Sequence, residues 1–285
     1  MKFIQSGKIK PDVLELPIKI QPYEWVRSSS LKRLNYLLNF VKEKRPEAIS
    51  SYLANLEAKY GSLVEKDLIA EKSIGIKDII SNFDALLDYV KLAENLLNFV
   101  FQSLFLPLDK DWSKDEVEVK NEYYLHSFLR PRYFNLLVLI ETLGREEGID
   151  LYKQYVTHYY RDNQEKRENF VDLETLFEQR RKSTAPLSEW QMVSGMIGKG
   201  KYAYRNDNCF WIDVLTEITD KELVYLICCY GDYQAAKNFD ENMVLTMEHT
   251  IAEGDSYCSR VLHDTRVDWN LKHPKKEFWD KMKPE

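Results

Sequence analysis

Apolar positions in the first two-thirds of the chain recur every three and four residues, the spacing that lines one face of an α-helix. Leu31, Leu34, Leu37, Leu38 and Val41 form a first stripe. Ile79, Phe83, Leu86, Val90, Leu97, Val100 and Leu104 form a longer one, closed by Pro107 and the polar run DKDWSKDEVEVKNE. A third helix is predicted over about 123–143, with Pro131 near its middle as a kink or boundary. Two further amphipathic runs follow, LYKQYVTHYYRD after Gly148 and DLETLFEQRRK ahead of a linker at 183–186. From about Leu187 the period changes, and EWQMVSGMI and KYAYRN favour strands about Gly198 and Gly200. The pattern predicts an α+β protein: a helical N-terminal half packed on a C-terminal α+β domain with a small antiparallel sheet. The divisions it suggests are an irregular lead-in at 1–28, a helical region at 29–185, an α+β domain at 186–265 and a peripheral polar tail at 266–285.

Two local signals in the C-terminal domain are sharper. Thr219 to Glu222 reads as a capping box, so a helix is predicted from Asp220. On it Leu223, Leu226, Ile227 and Tyr230 share one face, while Cys229 lies one turn from Tyr225, Asp232 and Tyr233 on another. Beyond it Met243, Leu245, Met247, His249 and Ile251 alternate with polar or smaller neighbours, and AEGD supplies a hairpin turn with a glycine free to take positive φ. An even-numbered loop pairs Met247 with Arg260, His249 with Cys258 and Ile251 with Ser256, which places Cys258, His249 and Arg260 on one inward face.

Composition narrows the function classes. The chain has 285 residues, 44% of them hydrophobic, enough for a sizeable core. A net charge of −6 with both signs interspersed offers no basic footprint for nucleic acid. The most apolar segment, ALLDYVKLAENLLNFVFQSLFLPL, carries Asp88, Lys91 and Glu94, so a buried helix is expected there and no membrane partner. The opening residues lack a signal-peptide pattern, and four cysteines without secretory context read as free thiols, so a cytoplasmic location is expected. The aromatic helical half offers a surface for a homo-oligomer. GMIGKG lacks the spacing of a phosphate loop, and a glycine turn between strands accounts for it.

All four cysteines fall between Cys209 and Cys258. Cys209 is expected at the first turn of a short helix opened by Asn208, where the helix dipole favours thiolate; a small buried residue is the alternative reading. Cys229 with Asp232 either lines a cavity or belongs to the core, and Cys228 projects between the two helix faces. A thiol opposite an imidazole makes an activated nucleophile or a two-ligand metal site. Arg260 is suited to gripping a carboxylate with two hydrogen bonds.

The order Cys209, then Cys229-x-x-Asp232, then Gly254-Asp255-x-x-Cys258 resembles the L-2-amino-thiazoline-4-carboxylic acid hydrolase family. The hairpin portion is also similar to the small-molecule-binding domain of 4-vinyl reductases. The first resemblance implies a hydrolase that opens or cleaves a C–N bond, in a cyclic amidine or an amide, of a small amino-acid-like substrate. Under it Cys229 or Cys258 is the nucleophile, His249 the base and Asp232 a proton relay or orienting acid. Arg260 holds the substrate carboxylate, with Cys209, Tyr225 and Tyr233 lining the same cavity. No cofactor is expected, unless Cys209, Cys229, Cys258 and His249 serve as zinc ligands. The second resemblance admits a non-catalytic domain that binds a small molecule.

Overall fold

The computed structural model describes residues 2–7, 12–65, 75–108, 110, 112, 115–163, 170–182 and 191–283. The chain divides into two compact units, Leu14–Tyr155 and a second formed by Met1–Val13 together with Val156–Glu285. The class is α+β, as the hydrophobic periods predict. No described helix is long and apolar enough to cross a membrane.

The unit Leu14–Tyr155 is built on helices Lys32–Lys44, Ile49–Leu63, Val90–Ser103 and Asn121–Leu143. The predicted stripe at 31–41 is buried along its length, because a helix that presents leucines every three or four residues can hide them all on one side. Pro131 stays inside an unbroken helix rather than ending it. The Tyr60 hydroxyl donates to the Pro131 carbonyl at 3.1 Å, and Tyr52 donates to that of Asn135 at 3.0 Å, so the helix is tied to its neighbour at the proline. Within the lead-in and the polar run lie two short strands, β2 (Pro17–Ile20) and β3 (Val117–Lys120), which pair antiparallel. Charges in VEVK hid this ribbon from the hydrophobic pattern; Ile20 and Val119 are its buried residues.

The second unit holds the sheet. Its strands are β1 (Ile4–Ser6), β4 (Met192–Gly198), β5 (Lys201–Asn206), β6 (Met243–Met247) and β7 (Cys258–Asp264), in the order β1-β4-β5-β7-β6 and antiparallel throughout. The lead-in is therefore not wholly irregular: β1 extends the sheet at its edge. Side chains alternate between the two faces of a strand, so the register fixes two cores. Tyr202, Leu262, Leu245 and Met243 on one face pack with Leu173, Leu176 and Phe177 of helix Leu173–Lys182 and with Ala236 of helix Asp232–Lys237. Val193, Ala203 and Val261 on the other face pack with Tyr257, Trp279 and Met282.

That second core corrects the reading of the tail. Residues 266–285 are not peripheral, because helix Lys276–Lys281 lays Trp279 on the sheet with no exposure. A buried polar string fastens the same segment. Asp268 accepts from Nδ1 of His263, whose Nε2 lies 2.9 Å from the Thr246 hydroxyl. The same hydroxyl meets His273 Nδ1 at 2.8 Å, and His273 Nε2 meets Ser259 Oγ at 3.1 Å. An acceptor at one end fixes the direction of every hydrogen in such a string. Burial lowers His263 and holds the His273 ring down at about 4, and with both rings neutral the string runs through Nδ1–H tautomers with each nitrogen satisfied.

Candidate active site

The hairpin register is the predicted one as far as it goes, with Met247 opposite Arg260. β6 then stops at Met247. The chain leaves the ladder through a 3-10 turn at Ile251–Glu253, whose Thr250 hydroxyl accepts from the Glu253 N–H at 3.2 Å. Gly254 closes the turn at φ 102°, a conformation that glycine tolerates and other residues resist. Beyond Met247 the pairing slips by one residue, with the Ser259 N–H donating to the His249 carbonyl at 2.9 Å, so His249 does not face Cys258. Its backbone N–H donates to Ser259 Oγ, its ring meets Tyr257 edge-on with centroids 5.7 Å apart, and its Nδ1 lies 3.6 Å from Asp255. The Cys258 thiol receives the Ile251 N–H instead, at 3.3 Å.

The predicted long helix through Cys229 is also broken. Asp220, not Thr219, is the N-cap, accepting from the Leu223 N–H, and helix Lys221–Cys228 ends with Cys229 as its C-cap. Gly231 then lets the chain turn close to Tyr160, where a Cβ would come within 2.6 Å of the ring. Helix Asp232–Lys237 starts afresh, the Asp232 N–H donating to the Cys229 carbonyl at 3.0 Å. Cys229 and Asp232 are brought together by this turn rather than by helical spacing.

These pieces surround a cavity of about 300 Å³. Cys209, Cys228, Cys229 and Cys258 all line it, with Asp232 and Arg260. β5 adds Tyr204 and Asn206, which the register sets opposite Arg260 and Cys258. Arg180, Met192, Trp211 and Ile212 complete the wall. Arg260 Nη1 pairs with Asp232 at 2.7 Å and its guanidinium lies 5.9 Å from the Tyr204 ring centre. Arg260 Nε and Asn206 Oδ1 are buried without a hydrogen-bond partner among the described residues. Polar atoms left so cost about 1–3 kcal/mol each, and these two lie on neighbouring strands that line the cavity.

Of the residues singled out in the sequence, His249, Tyr225 and Tyr233 lie outside this lining. Tyr225 and Tyr233 bond to each other through their hydroxyls at 3.0 Å, and Tyr233 packs on the sheet core. Burial, then the bond to Tyr233, drives the Tyr225 phenol upward, so it stays protonated. The four-ligand zinc set is not assembled, since His249 turns to Tyr257; no group of three or more His, Cys, Asp or Glu among the described residues is placed to hold a metal ion. Asn206 and Tyr204 were legible in principle, because KYAYRN alternates and the register to β7 selects them. Arg180 gives no such signal among the basic residues that end its helix.

Electrostatics in the cavity run against free thiolates. Burial pushes Cys209 up to about 11, overriding the N–H groups of Trp211 and Ile212. The dipole argument fails there because helix Phe210–Asp213 is a single turn. Alkylation of Cys209 is therefore expected to rise about tenfold per pH unit from pH 7 to 10 without levelling, as followed by mass spectrometry; a plateau below pH 8 would contradict it. Burial also raises Cys229 and Cys258, and for both Arg260 pulls the other way. Of these two, Cys258 adds a direct bond from a backbone N–H to that pull. Asp232, about a third exposed, is raised by burial against the attraction of Arg260.

The model of the L-2-amino-thiazoline-4-carboxylic acid hydrolase family matches residues 83–261, more than half of the chain. The chain belongs to this family. The matched span holds all the cavity residues and ends one residue beyond Arg260. No curated protein and no solved structure gives a match. Family membership makes the chain a hydrolase of the L-2-amino-thiazoline-4-carboxylic acid type by name and leaves its reaction to be argued from the cavity.

The ion pair in this cavity has a measurable signature. Arg260→Met should cost about 2 kcal/mol, between the values for exposed and fully buried pairs, since it strands a mostly buried carboxylate. The double variant with Asp232→Asn should be less destabilised than the two single losses together, as read by urea denaturation. Strict additivity would show that the pair contributes nothing.

Proposed function

We propose that this chain hydrolyses a C–N bond of a small cyclic amidine carrying a carboxylate, with Cys258 as nucleophile. The observation that carries the reading is the set of groups around one thiol: Arg260 and the Ile251 N–H both approach Cys258, and Asp232 stands beside them on Arg260. A buried neutral thiol needs a base only at the moment of attack. Asp232, with its carboxyl raised by burial, accepts that proton more readily than an exposed aspartate would.

In this scheme the Cys258 sulfur adds to the amidine carbon as its proton passes to Asp232. The proton is then given to the ring nitrogen as the ring C–N bond breaks, leaving the carbon attached to Cys258. Water adds to that carbon, and the thiol leaves with its proton restored. One water is consumed per turnover. Cys209, Cys228 and Cys229 form the thiol-lined wall beside the reacting carbon, and His249 takes no part.

The second reading, a binding domain without chemistry, draws support from the upward shift of every thiol described above. Assay of the full chain with 2-amino-2-thiazoline-4-carboxylate separates the two. Ring opening with a product one water heavier is expected; tight binding of that compound with no turnover across pH 6 to 9 would sink the hydrolase scheme.

A further inference from the structure

The cavity contains a second guanidinium that neither the motifs nor the reaction scheme uses. Arg180, in helix Leu173–Lys182, lines the same wall as Arg260. Its Nη1 donates to the Tyr202 hydroxyl at 3.1 Å and lies 3.6 Å from Met192 Sδ. Its guanidinium carbon sits 5.3 Å from the centre of the Tyr202 ring and 5.8 Å from that of Tyr204. These are neutral partners. Among the described residues Arg180 has no carboxylate, whereas its neighbours Arg181 and Arg266 are paired with Glu178 and Asp264.

The described residues that line the cavity include two arginines, Arg180 and Arg260, and one carboxylate, Asp232, so one guanidinium there has no anionic partner. It is that of Arg180. Arg260 is committed through Nη1 to Asp232, and its Nε is sealed from solvent, so it has no open two-pronged edge for a second anion. A guanidinium held beside two aromatic rings by a hydrogen bond to one of them is oriented and cheaply desolvated, which suits it to a carboxylate.

We infer that Arg180 is the residue that binds the carboxylate of the substrate and sets the preference for anionic over neutral cyclic amidines, while Arg260 serves the reacting end. This rests on the hydrolase reading of the cavity and gives it an orientation: ring amidine toward Cys258 and Asp232, carboxylate toward Arg180, with Tyr204 between the two arginines. The anchor assigned to Arg260 from sequence moves to Arg180.

Calorimetric titration of the full chain tests it without turnover, using 2-aminothiazole-4-carboxylate, an aromatic analogue that resists ring opening, against 2-aminothiazole. The natural chain should bind the carboxylate at least about tenfold more tightly. Arg180→Met should reduce that preference to about twofold or less. Arg180→Lys should give a several-fold smaller preference than the natural chain, because lysine keeps the charge but not the fork. No preference in the natural chain, or a full preference surviving in either variant that folds by circular dichroism, overturns the inference. An Arg180-dependent preference in a chain that fails to open the thiazoline leaves the inference standing and removes the hydrolase scheme.

Discussion

Cys258→Ser should lower the turnover number for 2-amino-2-thiazoline-4-carboxylate by about a thousandfold or more, with the Michaelis constant nearly unchanged. The hydroxyl keeps the size and the Ile251 hydrogen bond of the thiol, yet it ionises several units higher and attacks far more weakly. Because the substitution removes an interaction made only as the bond forms, binding of the ground state should survive. Cys228→Ser is the control. Cys228 lines the cavity but is only half-buried and belongs to the end of helix Lys221–Cys228, so its variant should stay within a few-fold of the natural chain. Cys229→Ser decides between the two thiols that the sequence left open. A dead Cys229 variant beside an active Cys258 variant would transfer the nucleophile to Cys229. Activity within about tenfold in all three would remove both Cys258 and Cys229 as the nucleophile.

The elements that position this chemistry were unequally legible. The hairpin register followed from parity alone: an even loop sets Met247 against Arg260 whatever its details, and that pairing is present. What parity does not contain is where the strand gives up. Thr250, able to accept the Glu253 N–H, ends the ladder two residues before the predicted Cys258–His249 pair, and the imidazole swings to Tyr257. The helix around Cys229 failed for a similar reason. Leu223, Leu226 and Ile227 are buried on one face as expected, but the helix stops at Cys228 and a new one starts at Asp232, with Gly231 between them leaving room for the Tyr160 ring, a contact that helical periodicity does not contain.

Convergence of Cys209, Cys229, Cys258, Asp232 and Arg260 on one cavity was anticipated because strong chemical types clustered in one stretch. Arg180 could not be anticipated. The role inferred for it depends on its having no carboxylate partner among the described residues, and that is a property of three-dimensional surroundings rather than of spacing. The tail was misjudged because VDWNLKHPKKEFWDKMKPE is polar on average, while its contribution comes from one tryptophan and one histidine.

Trp279→Ala should destabilise the chain by about 3–5 kcal/mol, the range for emptying a fully buried indole position. The indole fills the centre of the core beneath Val193, Ala203 and Val261, stacks on His273 with centroids 5.1 Å apart, and donates through Nε1 to the Pro274 carbonyl at 3.0 Å. Its own carbonyl accepts from Arg205 at 2.5 Å. Alanine leaves a cavity on that face and frees the stacked side of His273, whose contacts with Thr246 and Ser259 hold the segment to the strands that carry Met247 and Cys258. Loss of the indole should therefore loosen the hairpin as well as lower the urea midpoint, seen as faster amide exchange at Thr246, Ser259 and Arg260. Trp269, 81% exposed in the same tail, supplies the comparison: its alanine variant should stay within about 0.5 kcal/mol of the natural chain. Equal effects of the two substitutions would mean that the tail does not form part of the core, and that the sheet is closed on that face by something else.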